Sequence, residues 1–402
     1  MPMDRAKKWV FPAYLVFTVA ISSYHYIMQW GPAETTNYEA DTPTSIKIVK
    51  DVVWIALLVW YACGSDLYLF GRQIRRNLKL AICCGLFCFW MFLLGFAKLL
   101  TGEEGSNVTL YWMRYPLEYI PMAFLVRGLM PEPEKLKHVA IACCWLVAGF
   151  FLFEAFANRG TGFDFRYGSI FGSPNDFGMF AAFTLLIFIL SGTNWLLAVL
   201  MFAGLLGSLS RSSWVAFVVG YISLLDIKRA RTIALAAVLL SIAGGTYVYQ
   251  KFDLGQFGWV DNLGTRVVTL DESATIRQDE LAGAWSHLKS FDVPVWMFGT
   301  KRYVHEENFY LALIMRAGVP ALLLFLSVQW MTLKRAWRFR HQPIIRFALC
   351  VVLTVSVGSA FVPFPDVFPT NFYFWAAVGV IHTDHFCRAP AKSIRQIASI
   401  YS

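Results

Sequence analysis

The chain has 402 residues, of which 57% are hydrophobic and only 15% charged, and its mean hydropathy is +0.52. A soluble domain carries about 25% charged residues, and a single hydrophobic core stops growing near ~250–300 residues. This composition excludes a soluble enzyme, a disordered chain and a disulfide-stapled secreted module. The net charge of +9 is spread over short clusters between apolar runs, which argues against a nucleic-acid partner. We therefore predict an all-α polytopic membrane protein.

Apolar runs of ~17–25 residues have the length of a bilayer-spanning helix, and they predict about twelve spans in this chain. The predicted helices begin near Val10, Ile48, Leu78, Leu110, Val139, Phe177, Trp195, Trp214, Ile233, Phe309, Ile345 and Phe372.

Lysine and arginine concentrate in alternate connections between these runs. The intervening connections, such as QWGPAETTNYEADTPT and TGEEGSN, are acidic or neutral. Because basic loops stay in the cytoplasm, we expect a multi-pass membrane protein with both termini cytoplasmic. The basic clusters lie at residues 5–8, 72–79, 127–137, 228–231, 334–346 and 388–395.

This topology divides the chain into three parts. Residues 1–249 hold the first nine predicted helices with short loops, and residues 250–307 form a large external (periplasmic) loop. Residues 308–402 hold the last three predicted helices and a cytoplasmic tail. Within the loop, the apolar residues of segment 273–291 have helical spacing, so we expect a short amphipathic helix that lies on the outer membrane surface or caps a cavity.

The cysteines and the acidic residues give no sign of a metal site. The pairs at 83–84 and 143–144 lack the spacing of metal ligands, and buried free thiols behave as small hydrophobic groups. No Asp-x-Asp motif occurs in the predicted external segments. We expect no disulfide, no metal and no cofactor.

Several basic residues break the charge rule because they fall on the predicted external side. Lys47, Lys50, Lys98 and Arg114 lie near helix ends, where long side chains reach the membrane interface. Arg211 instead lies between two apolar helices, a depth at which a charge costs about 2.5–3.5 kcal/mol. The full set without such an explanation is Arg159, Arg166, Arg211, Arg266, Arg277, Lys301, Arg302 and Arg316.

A guanidinium is retained at such a depth when it meets phosphate, whose geometry matches its planar fork. We therefore predict an anionic ligand, a lipid diphosphate, with Arg166, Arg211 and Arg266 among the groups that bind it. For Arg159, Lys301 and Arg302 the alternative is an anchor to surface phospholipid.

Four segments resemble motifs of one family. They read RYGSIFGSPNDFGMFAAFTLLI, SLSRSSWVAFVVGYISLL, ATIRQDELAGAW and ENFYLALIMRAGVPALLLF, and they span residues 166–325 in this order. Together they resemble the O-antigen ligase/polymerase superfamily. The flanking helices agree with that family only in number and hydropathy.

The resemblance implies a glycosyltransferase of the GT-C architecture in a bacterial cytoplasmic (inner) membrane. It would act on undecaprenyl-diphosphate-linked sugars at the periplasmic face. Arg211 and Arg277 match the family's diphosphate-binding arginines, and Arg166 matches the arginine that precedes the Pro174–Asn175 pair. Arginines aimed at the departing diphosphate would stabilise it without a metal. A chain-length regulator protein and membrane lipid are the other expected partners.

A general base could activate the acceptor hydroxyl. Glu307 and His305 are the candidates because they lie where the long loop re-enters the membrane. The alternative for Glu307 is an ion pair with Arg277 or Arg302. Hydrogen bonds to the substrate are expected from Asn175, Asn308 and Tyr310, although an asparagine at a helix start is also an ordinary N-cap.

Three functions remain open. The ligase branch of the family has a histidine directly before the asparagine, whereas this chain has Glu307 before Asn308, so a Wzy-type polysaccharide polymerase is favoured. The first alternative is an O-antigen ligase that transfers the finished glycan to a lipid A core during lipopolysaccharide synthesis. The second is a lipid-diphosphate or polysaccharide transporter, which should have basic groups along a path through the bilayer.

Overall fold

The computed structural model of the chain describes residues 9–10, 12–21, 49, 51–57, 59, 67–102, 119–129, 133–157, 167–171, 173–192, 194–224, 283, 286, 288–300, 308–362, 369–384 and 387. Of these described residues 88% are helical and none lies in a strand. The predicted all-α class is therefore confirmed for this part of the chain. Seven of the eight cysteines lie among these residues, and all seven are free thiols.

Within the described ranges, 4 helices are long and apolar enough to cross a membrane. They are α3 (Leu78–Thr101), residues His138–Phe156 of α5 (Pro133–Ala157), α6 (Pro174–Ser191) and α10 (Phe309–Arg338). Shorter apolar helices are α1 (Pro12–Ile21), α7 (Trp195–Gly207) and α11 (Pro343–Gly358). Further helices are α2 (Leu67–Arg76), α4 (Met122–Leu129), α8 (Arg211–Leu224), α9 (Val293–Phe298) and α12 (Thr370–His382).

These bounds agree with the apolar runs of the sequence. Helices α3, α7 and α10 begin at the predicted Leu78, Trp195 and Phe309. The starts predicted near Leu110 and Ile233 lie outside the described residues. The number of about twelve spans and the GT-C architecture stay predictions.

Helices α6, α7 and α8 form an antiparallel run. Helix α6 begins after the N-cap Ser173, whose Oγ accepts a hydrogen bond from the Asp176 N–H at 3.4 Å. At the same end of the bundle, Gly204 in the last turn of α7 packs against the ring of Phe177 in the first turn of α6. Because the connections between these helices are short, the starts of α6 and α8 lie at one end of the bundle.

Helices α10 and α11 share this arrangement. The Phe309 N–H donates to the Ser359 carbonyl at 3.0 Å, which joins the start of α10 to the end of α11. The Arg346 guanidinium donates to the Leu224 carbonyl at 3.3 Å, which joins the start of α11 to the end of α8. Helices α6, α8 and α10 therefore all begin at the same end of the bundle, called the site end below.

The opposite end, called the basic end below, is held by a polar network at the end of α12. Asp384 accepts hydrogen bonds from Arg335 at 2.6 Å and from Arg76 at 3.2 Å. The basic clusters 72–79 and 334–346, which the sequence assigns to one side of the membrane, thus meet at one end of the bundle. Side chains also cap the last α12 carbonyls: Arg335 Nε donates to Ile381 O (2.9 Å), and Gln73 Nε2 and Asn77 Nδ2 donate to His382 O (both 2.9 Å).

Helix α10 is broken in its third turn. Gly318 has φ 75° and ψ 174°, a conformation open essentially to glycine alone, and Pro320 follows. Since Pro320 has no N–H, the Arg316 carbonyl loses its partner within the helix.

Donors from outside α10 satisfy the carbonyls that precede the break. They come from α3 and from Thr300, two residues after the short helix α9, so this part of the predicted external loop is fixed to α10. The hydrogen bonds run from Thr300 N and Oγ1 to Met315 O (2.6 and 2.9 Å), from Lys98 Nζ to Arg316 O (3.1 Å) and from Trp90 Nε1 to Ala317 O (2.8 Å).

Helix α9 was not predicted, because a run of six residues gives too short a hydrophobic pattern to detect. The amphipathic helix predicted for segment 273–291 falls mostly outside the described residues. Residues 283, 286, 288 and 289 of that segment are helical, and Leu288 is buried.

Candidate functional site

The predicted site residues divide into two groups. Four of them are described: Asn175, Arg211, Asn308 and Tyr310. Each lies at or next to the first residue of a helix, and all three of these helices begin at the site end. The others, Arg166, Arg266, Arg277, His305 and Glu307, lie outside the described residues.

The starts of α6 and α8 pack closely together. A Cβ built on Gly178 would lie 2.6 Å from Ser208 Oγ and 2.8 Å from Ser213 Oγ, so a larger residue would force these hydroxyls to move. The Ser213 hydroxyl donates to the Asn175 carbonyl at 3.4 Å. This bond joins the first turns of α6 and α8, which carry the predicted site residues Asn175 and Arg211.

Buried serine hydroxyls line the start of α8. Ser210 Oγ lies 3.0 Å from Ser212 Oγ and 2.9 Å from Ser213 Oγ, and the Ser210 N–H donates to Ser208 Oγ at 3.3 Å. Hydroxyls can donate or accept hydrogen bonds by rotating. The cluster therefore offers adjustable donors beside the half-buried Arg211.

The two helix starts and Arg211 carry positive charge that an anion would complement, whereas the Asp176 carboxylate in the first turn of α6 opposes it. A helix N-terminus carries about half a positive charge, and its first N–H groups have no partner within the helix. Here two such ends meet, and one of them starts with an arginine. This arrangement is suited to phosphate or carboxylate oxygens.

Sequence reasoning missed Asp176, which directly follows Asn175. Its side chain is only 8% exposed, and Oδ1 has no hydrogen-bond partner among the described residues. One and two turns further along the same face of α6, Phe180 and Phe183 pack against Tyr373 of α12 at 6.0 and 5.8 Å between ring centroids. The Ser-Pro-Asn-Asp run at a helix start was the available signal, since it has the pattern of an N-cap with an acidic residue at the third position.

Glu154 near the end of α5 is a second buried carboxylate that the sequence did not single out. It is 4% exposed and accepts hydrogen bonds from the N–H groups of Gly168 at 3.3 Å and Ser169 at 2.7 Å. Ser169 has φ 49°, and its hydroxyl donates to the Val147 carbonyl at 2.8 Å. Glu154 thus fixes the segment that directly follows Arg166 in the sequence.

Tyr167 joins this segment to two other helices. Its N–H donates to the Gly207 carbonyl at 3.1 Å, and its ring meets the Phe151 ring edge-on at 5.6 Å. Burial and the nearby Glu154 carboxylate raise the pKa of Tyr167, so its hydroxyl stays protonated. The turn Ser169–Phe171 therefore packs against α5 and α6, and Tyr167 connects the same segment to the end of α7.

Asn308 and Tyr310 both have partners inside the bundle. Asn308 is the N-cap of α10: its Oδ1 accepts from the N–H groups of Tyr310 at 3.0 Å and Leu311 at 3.1 Å, and its Nδ2 donates to the Ala360 carbonyl at 2.8 Å. The Tyr310 hydroxyl donates to the Ser356 carbonyl at 2.7 Å and accepts from Gln329. These bonds confirm the N-cap alternative for Asn308, and substrate binding by either side chain stays a prediction.

Comparison with known proteins found no match, either among protein-family models or among curated proteins.

Proposed function

We propose that this chain is a membrane glycosyltransferase that polymerises undecaprenyl-diphosphate-linked oligosaccharide repeat units into a cell-surface polysaccharide on the external face of the cytoplasmic membrane. The observation that carries this proposal is the meeting of two helix starts, with Arg211 and a row of buried serines, at the site end of the bundle. The motif resemblance supplies the substrate class.

The donor would be held through its diphosphate. Arg211 would provide a planar fork for two phosphate oxygens, and the starts of α6 and α8 would add their partial charges. Such interactions strengthen in surroundings of low dielectric constant. Arg166 and Arg277 would complete this binding site, as their motif positions imply.

Catalysis would consist chiefly of stabilising the charge that develops on the departing diphosphate. Donors fixed before the reaction do this without reorganising, which is usually the largest catalytic contribution. The acceptor hydroxyl would lose its proton to a carboxylate or imidazole. Asp176 joins Glu307 and His305 as a candidate base because its Oδ1 has no hydrogen-bond partner within the described part of the chain.

Reconstitution tests the reaction and its class together. Purified protein in liposomes receives only lipid-linked repeat units, and the products are separated by gel electrophoresis. We expect a ladder of chain lengths. A reaction that starts only after a separate acceptor such as lipid A core is added would instead identify a ligase, and movement of the lipid without new glycosidic bonds would identify a transporter.

Arg211→Ala in the same assay tests the binding site. Losing a charge-assisted phosphate contact should lower the rate at least tenfold, which corresponds to about 1.4 kcal/mol or more. Arg75→Ala, which removes an exposed arginine at the basic end, is the matched control and should leave the ladder unchanged. A normal ladder from Arg211→Ala would contradict the proposed diphosphate site.

A further inference from the structure

One face of the second half of α10 exposes leucine, tryptophan and basic side chains. Leu323 and Leu326 are 57% and 38% exposed, and Trp330 and Trp337 are 68% and 43% exposed. Lys334 and Arg338 are also exposed. They lie on the same face because residues three, four and seven apart share a side of a helix. The stripe begins with the two leucines, and tryptophans and cations alternate after them.

The cations of this stripe differ from their neighbours that serve the fold. Arg335, on the packed side of α10, is bound to Asp384 at 2.6 Å. Among the described residues no carboxylate pairs with Lys334, Arg338 or Arg340. Arg340 instead stacks its guanidinium on the Trp337 ring at 4.2 Å, which holds the group beside the stripe while its N–H edge remains able to donate.

The length of the stripe matches one leaflet of a membrane. From Leu323 to Arg338 the helix rises about 22 Å at 1.5 Å per residue. One leaflet with its headgroups is about 20–22 Å thick, half of the ~40–45 Å total. An acyl chain would therefore lie along the leucines when the headgroup phosphate reaches the cations.

We propose that the stripe formed by Leu323, Leu326, Trp330, Lys334, Trp337, Arg338 and Arg340 is a binding site for an anionic phospholipid at the basic end of α10. Tryptophan is suited to the interface between tails and headgroups, and the three cations complement a headgroup that carries net negative charge. A soluble acidic partner would use the cations but not the leucines, so the continuity of the two parts favours a lipid. The site is independent of glycosyl transfer, because it lies at the end of the bundle opposite the helix starts.

The experiment measures lipid retention by native mass spectrometry. Purified full-length protein is titrated with phosphatidylglycerol and, separately, with phosphatidylcholine of the same chains. The triple variant K334Q/R338Q/R340Q should bind phosphatidylglycerol at least tenfold more weakly, since each basic group near an anionic surface contributes roughly fivefold. The control R72Q/R75Q/K79Q removes the same charge from exposed positions at the same end and should bind normally.

A second variant, W330F/W337F, keeps all charges and should weaken phosphatidylglycerol binding severalfold because the indole N–H donors are lost. Equal loss in the two triple variants would show a general charge effect and overturn the proposal. Equal affinity for the two lipids would overturn it as well. Displacement of bound phosphatidylglycerol by inorganic phosphate would show a site for free phosphate, which also contradicts a lipid site.

Discussion

Two buried carboxylates near the site end have different surroundings. Both oxygens of Glu154 accept backbone N–H groups, at 3.3 and 2.7 Å. Asp176 has its backbone N–H capped by Ser173 at 3.4 Å, while its Oδ1 has no hydrogen-bond partner among the described residues. The first carboxylate is therefore used to build the segment after Arg166, and the second retains an acceptor that a substrate hydroxyl could use.

Replacing Glu154 by Gln tests the structural role. The amide would offer one acceptor for two N–H groups and would turn a donor toward the other, a mismatch that costs about 1–3 kcal/mol. Thermal unfolding of the purified protein in detergent should show the loss. Thr101→Val, which removes only local bonds to the Ala97 and Lys98 carbonyls at an exposed helix end, should change the unfolding temperature little. An unchanged midpoint for Glu154→Gln would refute the role.

At the scale of elements, α10 consists of two helical pieces, and the break between them is in tight contact with the end of α9. A Cβ on Gly299 would lie 2.6 Å from the Arg316 carbonyl oxygen, and a Cβ on Gly318 would collide with the carbonyl of Met297. The Trp90 and Phe298 rings stack at 5.8 Å beside this contact. The break is thus a joint in which two backbones touch, and it holds the end of the external loop in place.

Gly318→Ala should disrupt this joint. The substitution imposes a side chain on a conformation that costs about 1–3 kcal/mol for other residues, and the collision adds to that cost. We expect a lower unfolding temperature together with faster proteolysis near residue 300. Gly85→Ala is the control, because a Cβ at Gly85 in α3 meets nothing within 4 Å and alanine favours a helix. Equal behaviour of the two variants would exclude the joint.

At the scale of the whole molecule, the two ends of the bundle are held together by different kinds of contact. Asp384 joins Arg76 of α2 to Arg335 of α10 next to the end of α12, so one carboxylate connects three helices. The site end instead gathers helix starts, buried serines and Arg211. This separation places the predicted anion-binding site and the predicted cytoplasmic clusters at opposite ends of the structure.

A double-mutant cycle measures how much Asp384 contributes. Asp384→Asn should destabilise the protein by about 1–2 kcal/mol, because these bonds are charge-assisted but partly exposed. The coupling with Arg335→Gln should exceed that with Arg76→Gln, since Arg335 lies at 2.6 Å and Arg76 at 3.2 Å. Equal or zero coupling for both pairs, measured by unfolding in detergent, would contradict this account.

The sequence by itself determined the helical class, the starts of helices such as α3, α7 and α10, and the grouping of the basic clusters. Hydrophobic length and charge are local properties of a segment, and the bilayer acts on them without reference to tertiary contacts. The sequence also indicated Asn175 and Arg211 as site residues, although nothing in it showed that the helix starts that carry them pack together.

Only the tertiary structure decided the roles of Glu154, Lys98 and Tyr310. Their partners are backbone groups or side chains from other helices: Ser169, Arg316 and Ser356. The Arg316 carbonyl can accept a hydrogen bond from Lys98 because the break at Gly318 and Pro320 leaves it without a donor in its own helix. Such pairings depend on which helices pack together, and no spacing along one segment encodes that.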